Sequence, residues 1–176
     1  MRINRSRWAT IDTSSLCALE HLDLFRLTTL LFDQIHIPRR VREEYTKKRR
    51  SRAALERLRE DLAPYRYCNV ADEVSVKMLL AEEAVRRTPR ADEGEAEAIV
   101  QASQIGAPVV IVDEKRARKW AQSRGLQCRG TLWILEQLKE RDLIGRLKPL
   151  FAILDRENIH LPRADVQRLL IKCREG

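Results

Sequence analysis

The chain lacks a glycine-rich turn followed by Lys-Ser or Lys-Thr, and no dinucleotide fingerprint follows its first apolar run. The loops that usually cradle nucleotide phosphates are therefore absent. A nucleophile elbow is missing too, which removes serine-hydrolase chemistry. The three histidines, His21, His36 and His160, are neither paired nor close to a cysteine, so zinc has no ligand set. Cys17, Cys68, Cys128 and Cys173 are too scattered for a CxxC pair and read as reduced, partly buried thiols. No window approaches the roughly 18 to 20 apolar residues of a membrane span, and the basic start is not followed by an adequate apolar segment. The expectation is a soluble, cytoplasmic protein with no membrane partner. Aromatics are scarce, and three Trp and three Tyr must serve the core before they serve a ligand.

What is present points to one domain with a full core. The 176 residues are 44% hydrophobic, which excludes a wholly disordered chain. The net charge is +8, from 34 Lys and Arg against 26 Asp and Glu. The excess is concentrated: residues 39–61 hold ten basic and five acidic side chains, and residues 115–129 hold six basic and none acidic. A nucleic-acid backbone is the natural partner for such stretches, although two solvated helix faces would read the same way.

Strand and helix signals alternate. Apolar runs predict strands at 8–11, 34–37, 65–70 and 109–112, with a weaker edge strand at 126–128. Helical spacing covers 14–24 and 25–32, with Ser14 or Ser15 available as a cap. A helix starts after Pro38 with Val41 and Tyr45 one turn apart, and its character resumes through Leu55, Leu58 and Leu62. Further helices are predicted at 72–86, from Gly94 toward Gly106, and at 115–124, 132–139, 147–154 and 163–173. This order predicts an α/β fold, a three-layer α/β/α sandwich on a central parallel sheet with C-terminal helices as an extension. Residues 1–176 read as a single domain, with 46–90 as a basic insertion or arm and 145–176 as the helical extension.

Two of the strands end in an acid. The run Trp8-Ala9-Thr10-Ile11 stops at Asp12, and Val109-Val110-Ile111-Val112 stops at Asp113. In an open parallel sheet both carboxylates emerge at the carboxyl edge, where such sheets bind ligands. Glu44, two helical turns beyond the second strand, and Glu95, near the start of the helix leading into the Asp113 strand, complete four candidates. Alone, each has a plainer reading: Asp12 as a turn former, Glu44 as a solvated neighbour of Glu43, Glu95 as a first-turn helix stabiliser. Glu114 beside Asp113 leaves open which carboxylate faces the site.

Taken together, Asp12-Thr13-Ser14, Ile37-Pro38 through Glu44, Gly94-Glu95-Ala96-Glu97-Ala98-Ile99, Val112-Asp113-Glu114-Lys115 and Gly130-Thr131 resemble the ordered motifs of PIN-domain nucleases, in particular small prokaryotic toxin nucleases. The resemblance runs from Ile11 to about Leu150. No single motif is specific; their order and spacing carry the match. Two departures are a long, basic stretch at 45–90 and Asp113-Glu114-Lys115-Arg116 in place of a paired Asp before a basic residue.

The resemblance implies a PIN-like fold, Mg²⁺ or Mn²⁺ as cofactor, and Asp12, Glu44, Glu95 and Asp113 as the acidic metal site. Thr13, Ser14, Glu114 and Thr131 are the expected supports around it. The implied reaction is metal-assisted hydrolysis of RNA phosphodiesters, with no protein nucleophile. Lys115, Arg116 and Arg118 are expected against the strand near the cleft, and Lys47, Lys48, Arg49, Arg50 and Arg52 along an extended track. Tyr45, Trp120 and Trp133 are available for stacking, although each reads more readily as a packing residue. The resemblance also implies a homodimer and a role as the toxin of a toxin-antitoxin pair, blocked by a small antitoxin protein. The alternatives are a DNA-directed nuclease on the same site and a non-catalytic regulatory protein that binds nucleic acid.

Overall fold

The structure is a computed structural model that describes residues 7–48, 65–67, 73–85 and 93–176. Among these residues the apolar runs form five short strands: β1 (Trp8–Ile11), β2 (Gln34–Ile37), β3 (Tyr65–Tyr67), β4 (Val109–Ile111) and β5 (Gln127–Arg129). They make one parallel sheet in the order β3-β2-β1-β4-β5. The chain adds β2 and β3 on one side of β1, then crosses to lay β4 on the other. The sheet order therefore reverses between β1 and β4, which places a ligand crevice beyond their carboxyl ends.

Helices cover both faces, giving the expected sandwich. They are α1 (Thr13–His21), α2 (Phe25–Thr28), α3 (Arg39–Lys48), α4 (Glu73–Val85), α5 (Glu93–Ile105), α6 (Lys115–Ser123), α7 (Thr131–Glu140), α8 (Leu147–Arg156) and α9 (Arg163–Lys172). The period-two pleat sorts the strand side chains. Ala9, Ile11, Val109 and Ile111 join one core with residues of α1, α3, α7, α8 and α9, while Val110 and Val112 join a second core with residues of α4, α5 and α6. Thr10, a polar residue inside β1, donates its hydroxyl to the Ala98 carbonyl of α5 at 2.8 Å and so leaves no buried donor unmade.

Two expectations shift, and a third falls partly outside the described residues. The helix foreseen at 25–32 is the single turn α2, because Thr28 and Thr29 turn their hydroxyls onto the carbonyls of Phe25 and Arg26 at 2.6 and 2.7 Å, competing with helix propagation. The edge strand moves by one residue to Gln127–Arg129, and Val112, past the end of β4, still donates its N–H to the Arg129 carbonyl at 2.8 Å. Strand β3 is described only at Tyr65–Tyr67, and the continuation of the helix through Leu55, Leu58 and Leu62 lies outside the described residues. No helix among the described residues is long and apolar enough to cross a membrane.

Helices α8 and α9 belong to the sheet's packing. Leu147, Phe151, Leu154, Leu169 and Leu170 are buried in the same core as α1 and α7. Arg146, the residue before α8, gives no side-chain cap, and Glu175 supplies one from the far end of the chain, accepting the N–H groups of Leu147 and Lys148 at 2.8 and 3.3 Å. The Lys139 ammonium of α7 lies 3.1 Å from the same carboxylate. The loop between α8 and α9 lines a cavity together with Ser14 and Asp113 at the carboxyl edge of the sheet.

Candidate active site

Asp12 and Asp113 meet at the reversal of the sheet. Ile11 pairs with Ile111, and Asp12 donates its N–H to the Ile111 carbonyl at 3.1 Å. The chain then turns straight into α1, with Asp12 as its N-cap in extended backbone. Its Oδ1 accepts the Ser15 N–H and its Oδ2 the Ser14 hydroxyl, both at 2.8 Å. The cap expected at Ser14 or Ser15 is thus two or three residues too late: an N-cap side chain bonds the N–H three residues on, and that N–H belongs to Ser15.

Ser15, not among the expected site residues, also donates its hydroxyl to Asp113 Oδ2 at 3.2 Å, so it touches both carboxylates. The signal for it was its place three residues after a capping Asp. Asp113 in turn accepts the Thr131 N–H at 2.7 Å and the Thr131 hydroxyl at 2.6 Å, capping α7, whose N-cap Gly130 offers no side chain. Gly130 is required for this approach, since a Cβ there would stand 2.6 Å from Asp113 Oδ1.

The other two acids reach the same edge. Glu44 accepts the Thr13 hydroxyl at 2.5 Å, one residue beyond Asp12, whereas its neighbour Glu43 faces Arg39 and Arg40 at 3.7 and 4.0 Å. Glu95 is buried on α5, pairs with Arg116 at 3.2 Å, and shares a cavity of about 870 Å³ with Ser14, Asp113 and Glu114. Asp113, not Glu114, is the acid bonded into the centre; Glu114 is exposed at the start of α6. Among the described residues no three His, Cys, Asp or Glu come close enough to form a metal cage.

The electrostatics single out the central pair. Burial, and after it the charge of Asp113, push Asp12 up to about 7, against the opposing bonds from Ser15 and Ser14. Asp113 is raised as well, by burial, although Thr131, Ser15 and the positive charge of Arg118 pull the other way. Two desolvated carboxylates that each resist ionisation form a centre short of positive charge. The donors are hard oxygens, two carboxylates with hydroxyls beside them; Asp12 Oδ1, Asp12 Oδ2 and Asp113 Oδ1 each accept one bond and keep lone-pair capacity, while Asp113 Oδ2 accepts both the Ser15 and the Thr131 hydroxyl. That set suits Mg²⁺ or Mn²⁺, which take one or two carboxylates and keep several waters, better than it suits a softer metal.

Around this centre the cations divide. Lys115 and Arg118 are exposed at its rim, whereas Arg116 is committed to Glu95 and lies 5.1 Å from the centroid of the Trp120 ring. Lys47 is exposed on α3; the Lys48 side chain and Arg49, Arg50 and Arg52 lie outside the described residues. Tyr45 and Trp120 are 1% and 4% exposed, so both are core residues and neither offers a stacking face. Trp133 is half-buried beneath the Arg129 guanidinium, 4.8 Å from its ring centroid.

A further buried acid lies outside the expected site residues. Glu97 is 5% exposed and accepts the Arg40 N–H at 2.5 Å, so it fastens α3 to α5 away from the Asp pair. Nothing in Gly94-Glu95-Ala96-Glu97 marks one glutamate for the cleft and the other for a helix junction, although residues two apart never share a helix face.

No curated protein matches the chain. The profile of the DUF3368 family, described as a PIN domain, matches residues 8–175, nearly the whole chain. Parallel sheet, reversal point and family profile agree, and the chain belongs to this family of PIN domains, a nuclease-associated group.

Proposed function

We propose that this protein is a ribonuclease dependent on Mg²⁺ or Mn²⁺, with Asp12 and Asp113 as direct metal ligands and Glu44 and Glu95 acting directly or through bound waters. The observation that carries the reading is the Asp12–Asp113 pair at the β1/β4 reversal, Asp12 buried and Asp113 half-buried, two carboxylates bridged by Ser15. When bound, the metal supplies activation of water and stabilisation of charge on the phosphoryl group.

The chain's own part is positioning. Ser15 and Thr131 fix both carboxylates, and Ser14 restrains the Asp12 oxygen next to the cavity. Thr13 holds Glu44 against the same turn. Arg118 and Lys115 attract the phosphate backbone at the rim, and the Arg116–Glu95 pair holds the Glu95 carboxylate in place. RNA is the preferred substrate, and a small antitoxin protein that covers the cleft, together with homodimerisation, fits the toxin reading of the family. The basic residues of 46–90 are assigned to substrate binding, while β3 and α4 within that stretch belong to the sheet and the second core, and 145–176 is assigned to a wall of the cleft.

Asp12→Asn tests this directly. The amide still accepts the Ser15 N–H, so the cap and the fold are retained while a metal-binding charge is lost. Cleavage of a mixed RNA pool in Mg²⁺ or Mn²⁺ is expected to disappear while binding to the basic surface persists. Chelator-resistant cleavage, or undiminished metal-dependent cleavage by folded Asp12→Asn, would remove the assignment.

A further inference from the structure

The cavity beside the Asp pair extends well past the residues that the chemistry uses. One wall is α1, through Ser14, Cys17 and His21; the opposite wall is the loop after α8, through Asn158, His160 and Leu161. The spacings of three and four along α1 put its three residues on one face. At 1.5 Å per residue His21 stands about 10 Å along the helix from Ser14. That is too far to act on the phosphate held at Asp12, and it is the reach of an adjoining nucleotide.

The chemistry of this outer half selects a base rather than a phosphate. Carboxylates of Glu95, Asp113, Glu114 and Glu157 line the cavity, and among the described lining residues Lys115 alone is a Lys or Arg. An anion placed there meets net repulsion. A neutral planar ring meets apolar side chains at Ile159, Leu161 and Pro162, the amide of Asn158, which can both donate and accept, and an exposed imidazole at His160. Unpaired bases are bound by this combination of stacking surface and edge hydrogen bonds. The size agrees: about 870 Å³ lies in the range of roughly 300–1,000 Å³ typical of small-molecule sites.

The walls are also built to stay in place. His21 Nδ1 lies 3.5 Å from the Glu157 carboxylate, joining α1 to the loop. Asn158 takes a positive φ of 58°, a conformation that asparagine tolerates better than most residues, and Ile159 returns its N–H to the Leu154 carbonyl at 2.9 Å. The cap of α8 by Glu175 holds the other end of that helix.

We infer that the loop at residues 157–162 and the Ser14–Cys17–His21 face of α1 form a subsite for one unpaired RNA base next to the cleaved phosphate. This rests on the ribonuclease reading for its setting, and it makes the C-terminal helical extension the source of sequence preference.

The test is binding of free nucleosides, read apart from catalysis. Adenosine, guanosine, cytidine and uridine are titrated separately into metal-free full-length protein while the imidazole signals of His21 and His160 are followed by NMR. One nucleoside is expected to shift His160 and to bind on the order of tenfold more tightly than the weakest of the four. Asn158→Gly with His160→Ala, in which glycine keeps the backbone free to hold a positive φ, is expected to erase that difference, and circular dichroism confirms the fold. Absence of an effect by all four nucleosides on either imidazole overturns the subsite, as does an unchanged preference in the folded double variant. Mapping cut sites on a random single-stranded RNA in Mn²⁺ separates the two readings. Nucleoside binding without cleavage removes the ribonuclease and leaves the base site; cleavage by a protein that binds no nucleoside removes the base site and leaves the ribonuclease.

Discussion

Two buried acidic centres lie within one fold, and their surroundings differ in kind. Glu97, between α3 and α5, is buried and its pKa is raised by desolvation, yet a backbone N–H from Arg40 and the charges of Arg39 and Arg40 oppose the shift. Asp12 is equally buried, but its nearest charge is a second carboxylate, and the bonds from Ser14 and Ser15 leave it at about 7. The first centre is completed by the protein and serves as a fastener. The second is left short of positive charge, which is what a site for a cation from solution requires. Burial of an acid alone does not distinguish the two; the sign of its nearest charge does.

The largest effects should come from exchanging the acids' roles. Asp113→Asn is expected to lower metal-dependent cleavage by about 10² or more, in line with loss of several kcal/mol of charge stabilisation. Glu97→Gln is expected to stay within about threefold in rate and to cost on the order of 1 kcal/mol in urea unfolding, because a neutral amide weakens the bond that Arg40 makes. Equal rate losses in the two variants would erase the distinction.

Next comes Gly130→Ala. Its Cβ would press on Asp113 at 2.6 Å and on the Val112 carbonyl at 3.3 Å, so the carboxylate must move. Cleavage should fall by roughly tenfold, with about 1–3 kcal/mol lost in thermal or urea unfolding. Full activity with an unshifted melting temperature would mean that Asp113 does not need this position.

How much of this comparison was readable beforehand follows from what each feature depends on. The apolar run at Val109 and the stop at Asp12 are local, and they produced the central strands and the sheet edge correctly. Pro38 before α3 and the Gly94 helix start were legible for the same reason. Ser15 was missed because its two bonds reach a residue three positions back and another ninety-eight positions on, and only the second makes it a bridge. Glu95 was singled out by its place at the helix start and by the resemblance, whereas the buried role of Glu97 was not legible, since the helix's rotation decides which one meets Arg116 and which meets Arg40. Tyr45 and Trp120 were available aromatics in the sequence and core residues in the fold, because a chain with six Trp and Tyr spends them on packing.

Stability against pH sharpens the contrast without any substrate. Asp12 has a folded pKa of about 7 against an ordinary 3.8, so the folded state holds its proton more tightly than the unfolded chain. The stability this contributes is complete below about pH 4 and is lost as pH rises through about 7, a change on the order of 4 kcal/mol. Urea midpoints of metal-free wild type, compared with Asp12→Asn across pH 4 to 8, should show wild type losing ground as pH rises. Asp113 and Glu97 shift in the same direction and add to the slope that both proteins share. Saturating Mg²⁺ should restore wild type at high pH and leave the variant nearly unchanged. A difference between the two proteins that does not vary with pH would contradict the charge shortage at Asp12.

Smaller effects are expected at the rim. Arg118→Ala removes an exposed cation facing Asp113 and should weaken RNA binding a few-fold, with a shallower dependence on salt. Arg116→Ala should alter cleavage more than binding, because it releases the buried Glu95 from its ion pair. Fluorescence titration over a salt series and single-turnover rates separate the two.

The most direct measurement is a Mn²⁺ titration of the metal-free protein, by paramagnetic resonance or calorimetry at pH 7.5, on wild type, Asp12→Asn and Glu97→Gln. Wild type and Glu97→Gln should bind Mn²⁺ with similar affinity and release protons as they do so, because the Asp pair must give up its proton to the metal. Asp12→Asn should lose that binding by tenfold or more. Equal Mn²⁺ affinity in all three proteins, or no binding by wild type, would contradict a cation site at Asp12 and Asp113.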